Sequence, residues 1–197
     1  MKKFIIFTGL TLISFGFVQC EKPDSPGKTE HVKDDQNLSD EKPHVHVHDS
    51  HYVSKEVKLS GEVKNPLTLT VDSLRKMNVV NIGDLDIVCQ SGATTSSHTD
   101  TKGVLLRDIL EKAEIRQNNH KDRNFYIVTR AADDYKATFS WAEIFNNPTG
   151  DHVFVVFEKN GEPLKEDGEM TIISLSDTKT GPRHVKWLNS IEIYRVE

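Results

Sequence analysis

A chain of 197 residues with 36% hydrophobic and 28% charged residues has the composition of a soluble fold, and a formal net charge of -5 excludes general affinity for nucleic acid or anionic lipid surfaces. No basic stripe interleaved with aromatics runs through it, so nucleic acid is not an expected partner. Once a leader and a tether are set aside, roughly 145 residues remain, about the size of one domain with one core.

Met1-Lys2-Lys3 gives the chain a positive start, and residues 4–18 form an apolar stretch interrupted by Thr8, Gly9, Thr11, Ser14 and Gly16, too short for a comfortable membrane span. Cys20 follows directly. The arrangement resembles a bacterial lipoprotein signal. That resemblance implies removal of residues 1–19, lipid on Cys20, and a protein exported and anchored in the cell envelope, facing the periplasm or the outer surface. Gln19 departs from the small residue such signals carry before the cysteine, and the alternative is an uncut signal anchor. Either form tethers the chain to a membrane.

Residues 20–51 read as a solvated linker, with Pro23, Pro26, Gly27 and Pro43 among many Lys, Asp and Glu and few apolar side chains to offset the entropy of ordering. In an extended chain His44, His46 and His48 face one side, and with His51 they offer a flexible, unselective site for Zn, Cu or Ni. A hydrophilic stalk that happens to be histidine-rich is the other reading, because a disordered site loses chain entropy when it binds.

The domain is expected over residues 52–197. Val57, Leu59, Gly61 and Val63 alternate with polar residues, the period of a half-buried strand, and Asn65-Pro66 turns the chain into Leu67-Thr68-Leu69. Thr70 is placed to cap a short helix over 71–77. Residues 79–82 and 85–88 are strand-like, and the second run delivers Cys89 into a loop predicted over 90–103, rich in hydroxyls and carrying His98. If Cys20 takes lipid, Cys89 is the one free thiol, since the chain has two cysteines. Helical spacing of Val104, Leu105, Ile109, Leu110 and Ala113 predicts an amphipathic helix over 104–113. Residues 125–129 and 135–139 read as a hairpin, and Ser140 with Glu143 as a capping box that opens a short helix over 141–145. Residues 152–157 form a dense apolar strand expected at the centre of a sheet, turned back at Asn160-Gly161. Strands over 170–175 and 191–196 enclose a polar loop ending in Gly181-Pro182-Arg183. The sum is an α+β domain with a mixed β-sheet and few short helices.

Read together, several pieces resemble the oxidoreductase molybdopterin-binding domain, the sulfite-oxidase-like family. They are Leu59-Ser-Gly-Glu-Val63 with Asn65-Pro66, the strand into Cys89, Gly103-Val-Leu-Leu-Arg-Asp-Ile-Leu110, Asn160-Gly-Glu-Pro-Leu164, and His184-Val-Lys-Trp-Leu188 before Ile191-Glu-Ile193. The resemblance implies a molybdopterin cofactor with Cys89 as the thiolate ligand to molybdenum, and oxygen-atom or electron transfer as the reaction. It places Arg183 near the pterin phosphate, with Gly181 allowing close backbone approach. His98 and Arg130 are further candidates, because their loops are expected to face the same side. Each has a plain alternative: a packed inert Cys89, a solvated His98, and surface charges at Arg130, Arg183 and Lys186. Gly168-Glu169-Met170 stands where larger members carry an arginine that helps hold the pterin. Lys2-Lys3 is no twin-arginine signal for folded export.

Two functions follow. One is a membrane-tethered molybdopterin oxidoreductase. The other is a cofactor-free binding module of the same fold at the envelope, with divalent metal captured by the tether. A thiol redox protein is disfavoured, since no second cysteine stands near Cys89 to resolve a disulfide.

Overall fold

The computed structural model describes residues 54–197. The leader, Cys20, and the tether with His44, His46, His48 and His51 lie outside the described residues. Two five-stranded sheets make up the domain. The first takes β1 (Val57–Gly61), β2 (Leu67–Leu69), β5 (Phe125–Ala131), β6 (Lys136–Ser140) and β10 (Leu188–Arg195) in the order β2-β1-β10-β5-β6. It is mixed, because β1 and β10 run parallel while its other pairs are antiparallel. The second sheet is antiparallel. It joins β3 (Val79–Val88), β4 (Thr94–Leu105), β7 (Val153–Lys159) and β8 (Glu162–Pro163), and β9 (Thr171–Ser174) also pairs with β7.

The expected central strand is β7, with β4 on one side and β9 on the other. All five residues Val153-Phe154-Val155-Val156-Phe157 are buried, because both faces of the strand are covered. Val153, Val155 and Phe157 join the main core with Leu59, Ile127, Phe139 and Ile193 of the first sheet. Phe154 and Val156 face a smaller cluster with Leu85, Ile87, Leu164 and Ile173. The Asn160-Gly161 turn forms as expected, with positive φ at both residues (54° and 71°), the backbone of a tight two-residue hairpin.

Three short helices connect the strands. α1 (Val71–Leu74) carries a capping box between Thr70 and Ser73 and ends before the expected 77. α3 (Trp141–Phe145) opens with the expected box, in which Ser140 N–H donates to Glu143 at 2.7 Å and Glu143 N–H to Ser140 Oγ at 3.2 Å. α2 (Leu106–Ala113) starts later than its periodicity suggests, because Val104 and Leu105 pair with Val155 and Phe154 of β7.

The largest correction concerns residues 90–103. Only a short turn separates β3 from β4, and Thr94–Leu105 is a strand of 12 residues. Its outer half is polar on both faces, with His98 and Ser96 standing opposite the core residues Leu85 and Ile87, so no alternation betrays it. Ladder pairing such as Leu85 with His98 and Ile87 with Ser96 forms it instead, helped by the β preference of threonine. The two short strands expected over 79–88 are likewise one strand of 10 residues, irregular in register at Gly83.

Candidate active site around Cys89

Alternation along β3 sets the site. Leu85 and Ile87 point into the smaller core, so Cys89, two residues further, faces the same side at the strand's end. The turn that holds it is closed by Cys89 N–H donating to Ala93 C=O and Gly92 N–H donating to Cys89 C=O, both at 2.9 Å. Its Sγ shares a hydrogen bond of 2.8 Å with Ser91 Oγ. That bond, and then the Ser91 backbone N–H, hold the thiol below its ordinary pKa; slight desolvation opposes them and the amides of Ala93 and Gly92 assist. The thiol is half-buried and free.

The segment 180–187 forms the opposite wall. Thr180 Oγ1 donates to Asp86 C=O at 2.8 Å and accepts from Val88 N–H at 2.9 Å, which fixes the segment to the edge of β3. A Cβ at Gly181 would come within 2.9 Å of Val88 O and 3.2 Å of Cys89 Cα. Glycine here lets the chain close on the cysteine strand. Next, Val185 forms a bridge to Ile172, donating at 2.9 Å and accepting at 3.1 Å, and buries its side chain in the main core. Its neighbours His184 and Lys186 are therefore turned the other way, into the site. Between the walls lies an open cavity of about 520 Å³, lined by Cys89, Thr95, Tyr135, Gly181, His184 and Lys186 among others. Tyr135 donates its hydroxyl to Pro182 C=O at 2.8 Å.

A charged cluster stands beside this cavity. Asp167, 4% exposed, takes Lys186 Nζ at 2.7 Å and Lys159 Nζ at 2.8 Å. Burial works to raise its pKa, but the two ammonium groups more than offset it and lower the carboxyl to about 2. Burial pushes His184 down to about 4; Lys186, His98 and Lys159 add to this and Asp167 opposes it. His98 is also lowered, by burial first and by Lys159.

The sequence candidates separate in space. Cys89 and Gly181 line the open cavity together. His98, on β4, is absent from that lining and borders the charged cluster instead. Arg183 is bracketed by Asp177 and by Glu143 at 3.0 Å, and lies over the Phe139 ring at 4.5 Å. Arg130 forms a two-pronged pair with Glu192, both contacts at 3.1 Å. Neither guanidinium lines the cavity. The sequence alone does not single out His184, Tyr135, Lys159 or Asp167, and Lys186 reads there as a surface charge. The alternation His184-Val185-Lys186 around a buried valine was the one available signal.

The model for the oxidoreductase molybdopterin binding domain matches residues 44–197. The chain belongs to that family. Among solved structures this molybdopterin-binding-domain protein is similar to the sulfane dehydrogenase SoxCD from Paracoccus pantotrophus, with a TM-score of 0.53 and 19% identity. The match covers 72% of this chain and 39% of that one, so the present protein spans well under half of that chain, and the likeness is one of fold. No curated protein matches.

The donor set of this family member fits the family's cofactor. A soft thiolate is a suitable ligand for a sulfur-rich molybdenum centre, and the cavity has the size of a cofactor site. Lys186 on the wall, and Lys179, whose Nζ donates to Gln90 C=O at 2.9 Å beside Cys89 in the chain, offer cations to an anionic group. Among the described residues no group of three or more His, Cys, Asp and Glu is placed to hold a metal ion. A site built on one protein thiolate needs no such group.

Proposed function

We propose that the protein is a small molybdopterin-dependent oxidoreductase in which Cys89 supplies the one protein ligand to molybdenum. The observation that carries this reading is a free thiol, lowered in pKa by hydrogen bonds, facing a cavity of about 520 Å³ in a member of the molybdopterin-binding family. When bound, the cofactor supplies oxygen-atom or electron transfer. The chain's own residues bind and orient. Cys89 is held in a closed turn with its thiolate stabilised by Ser91; Gly181 and Pro182 wall the cavity; Lys186 offers a cation to an anionic group; Tyr135, pinned to Pro182, limits access. The proposal includes export by the leader and anchoring through lipid on Cys20, which places this chemistry at the cell envelope.

The test is molybdenum and pterin content of the whole chain produced in a cofactor-making host, beside Cys89→Ser. Stoichiometric molybdenum in the first and none in the second supports the reading. A folded protein that takes up none in either form makes the chain a cofactor-free member of the fold.

A further inference from the structure

Beside the Cys89 cavity lies a second, narrow one whose free room is about 10 Å³, close to what one water molecule requires. Its apolar side is Leu85, Ile87, Val156 and Ile173, and its polar side includes Thr101, Asp167, His98 and His184. Thr101 is 1% exposed, and its Oγ1 is the one buried side-chain oxygen or nitrogen among the described residues with no hydrogen-bond partner. A buried hydroxyl left without a partner is costly, and native structures satisfy such groups with protein or with water. Here the residue that carries the unsatisfied hydroxyl lines a space that fits one water.

The two imidazoles connect this space to its surroundings. His184 lines both the narrow cavity and the open one that holds Cys89. His98 lines the narrow cavity and also a third, open cavity of about 260 Å³ beside Asn160, Glu162 and Lys165. Three spaces thus stand in series, with an imidazole at each junction. An imidazole suits such a position because one ring nitrogen accepts a proton while the other releases one.

We propose that a water held by Thr101 Oγ1 joins His184 to His98, and that these groups carry protons between the Cys89 cavity and solvent beside the β7–β8 turn. His184 takes a proton from an acid or water in the Cys89 cavity and gives the proton on its other ring nitrogen to the held water. That water passes a proton to His98, and His98 releases one to solvent. One proton enters, one leaves, and no oxidant or reductant is consumed. Asp167, Lys159 and Lys186 are the charged groups around both rings. Burial first, and the lysines after it, keep the resting imidazoles neutral, and the Asp167 carboxylate favours the transient cation. The need for such a route rests on the function proposed above, since a cofactor and substrate filling the open cavity displace the bulk water there. The water site itself does not depend on that reading.

The experiment uses the whole chain without cofactor, with nitrogen-15 in its imidazoles, and follows the His98 and His184 titrations together with the thermal midpoint. Thr101→Val removes the hydroxyl at nearly constant volume; it is expected to move both titration midpoints and to lower the thermal midpoint, while Thr101→Ser keeps wild-type titrations. Unchanged titrations in Thr101→Val, or a thermal midpoint that rises as for a dry cavity relieved of a stranded hydroxyl, overturn the water site. In the molybdenum-loaded protein, His98→Gln is expected to shift the pH profile of turnover at constant metal content. A pH profile identical to wild type overturns the relay. Failure of the chain to take up molybdenum at all counts against the Cys89 reading, and the titrations still decide the water site.

Discussion

The first sheet and the corner around Cys89 use charged side chains in opposite ways. On the first sheet and its margins, arginines close against carboxylates: Arg130 on Glu192, Arg195 on Asp122 and Glu62, and Arg183 on Asp177 and Glu143. Arg195 and Arg183 also cover Phe125 and Phe139, each at 4.5 Å. Around the cavities the side chains are instead a thiol, two histidines and two lysines gathered about one buried aspartate. Arginine stays charged and its planar fork suits fixed two-pronged pairs, so it serves as a clasp. Thiol, imidazole and ammonium change protonation with their surroundings, which is why chemistry gathers where they do.

The largest loss of stability is expected at Phe139, buried under Arg183 in the main core. Phe139→Ala is expected to lower the unfolding free energy by about 3–5 kcal/mol, measured by denaturant titration. Ile173→Ala in the smaller core is expected to cost less, about 2–3 kcal/mol. An equal cost for both would mean that the smaller core is as important to stability as the main one.

Arg183 is the clasp nearest the cysteine corner in the chain, paired with Asp177 and Glu143. Arg183→Gln leaves Asp177 and Glu143 without their shared cation and is expected to cost about 2 kcal/mol, below the value for a fully buried pair because the guanidinium is partly exposed. Molybdenum content of the folded variant is expected to stay at the wild-type level. Loss of metal at unchanged stability would return Arg183 to the pterin phosphate.

Acid acts on the other corner. The folded pKa of His184, about 4, lies below the ordinary imidazole value, so the unfolded chain takes up a proton first as pH falls. Stability is therefore full above about pH 6.5 and declines toward pH 4, by on the order of 2 kcal/mol allowing for partial solvent screening. Asp167, lowered to about 2, adds a second loss only below about pH 4. His184→Gln is expected to flatten the first decline and leave the second, as read from denaturant midpoints across pH.

The smallest effect on stability is expected at Ser91, an exposed turn residue, where Ser91→Ala should change unfolding by less than about 0.5 kcal/mol. Its effect falls on the thiol. Without the Ser91 hydroxyl the Cys89 pKa rises, and alkylation near pH 7 should slow severalfold. Equal alkylation rates would show that the backbone amides of the turn suffice.

Local chemistry in the sequence determined the elements that depend on neighbours along the chain. The Ser140–Glu143 box, the Asn160-Gly161 turn, the buried run of β7, and a strand that leads into Cys89 are all written in adjacent residues, as are the motifs that carry the family resemblance. What pairing across the fold decides could not be read there. Thr94 to Asp100 looks like loop because its backbone is held by a ladder to β3 rather than by burial of its side chains. Gly181 proved to be the point where two chain segments 92 residues apart close, with Thr180 on Val88. Arg130 and Arg183 gained their carboxylates, and His184, Lys186 and Asp167 their common corner, only when the sheets packed. A charge in a sequence has a sign, but its partner is fixed by which strands meet.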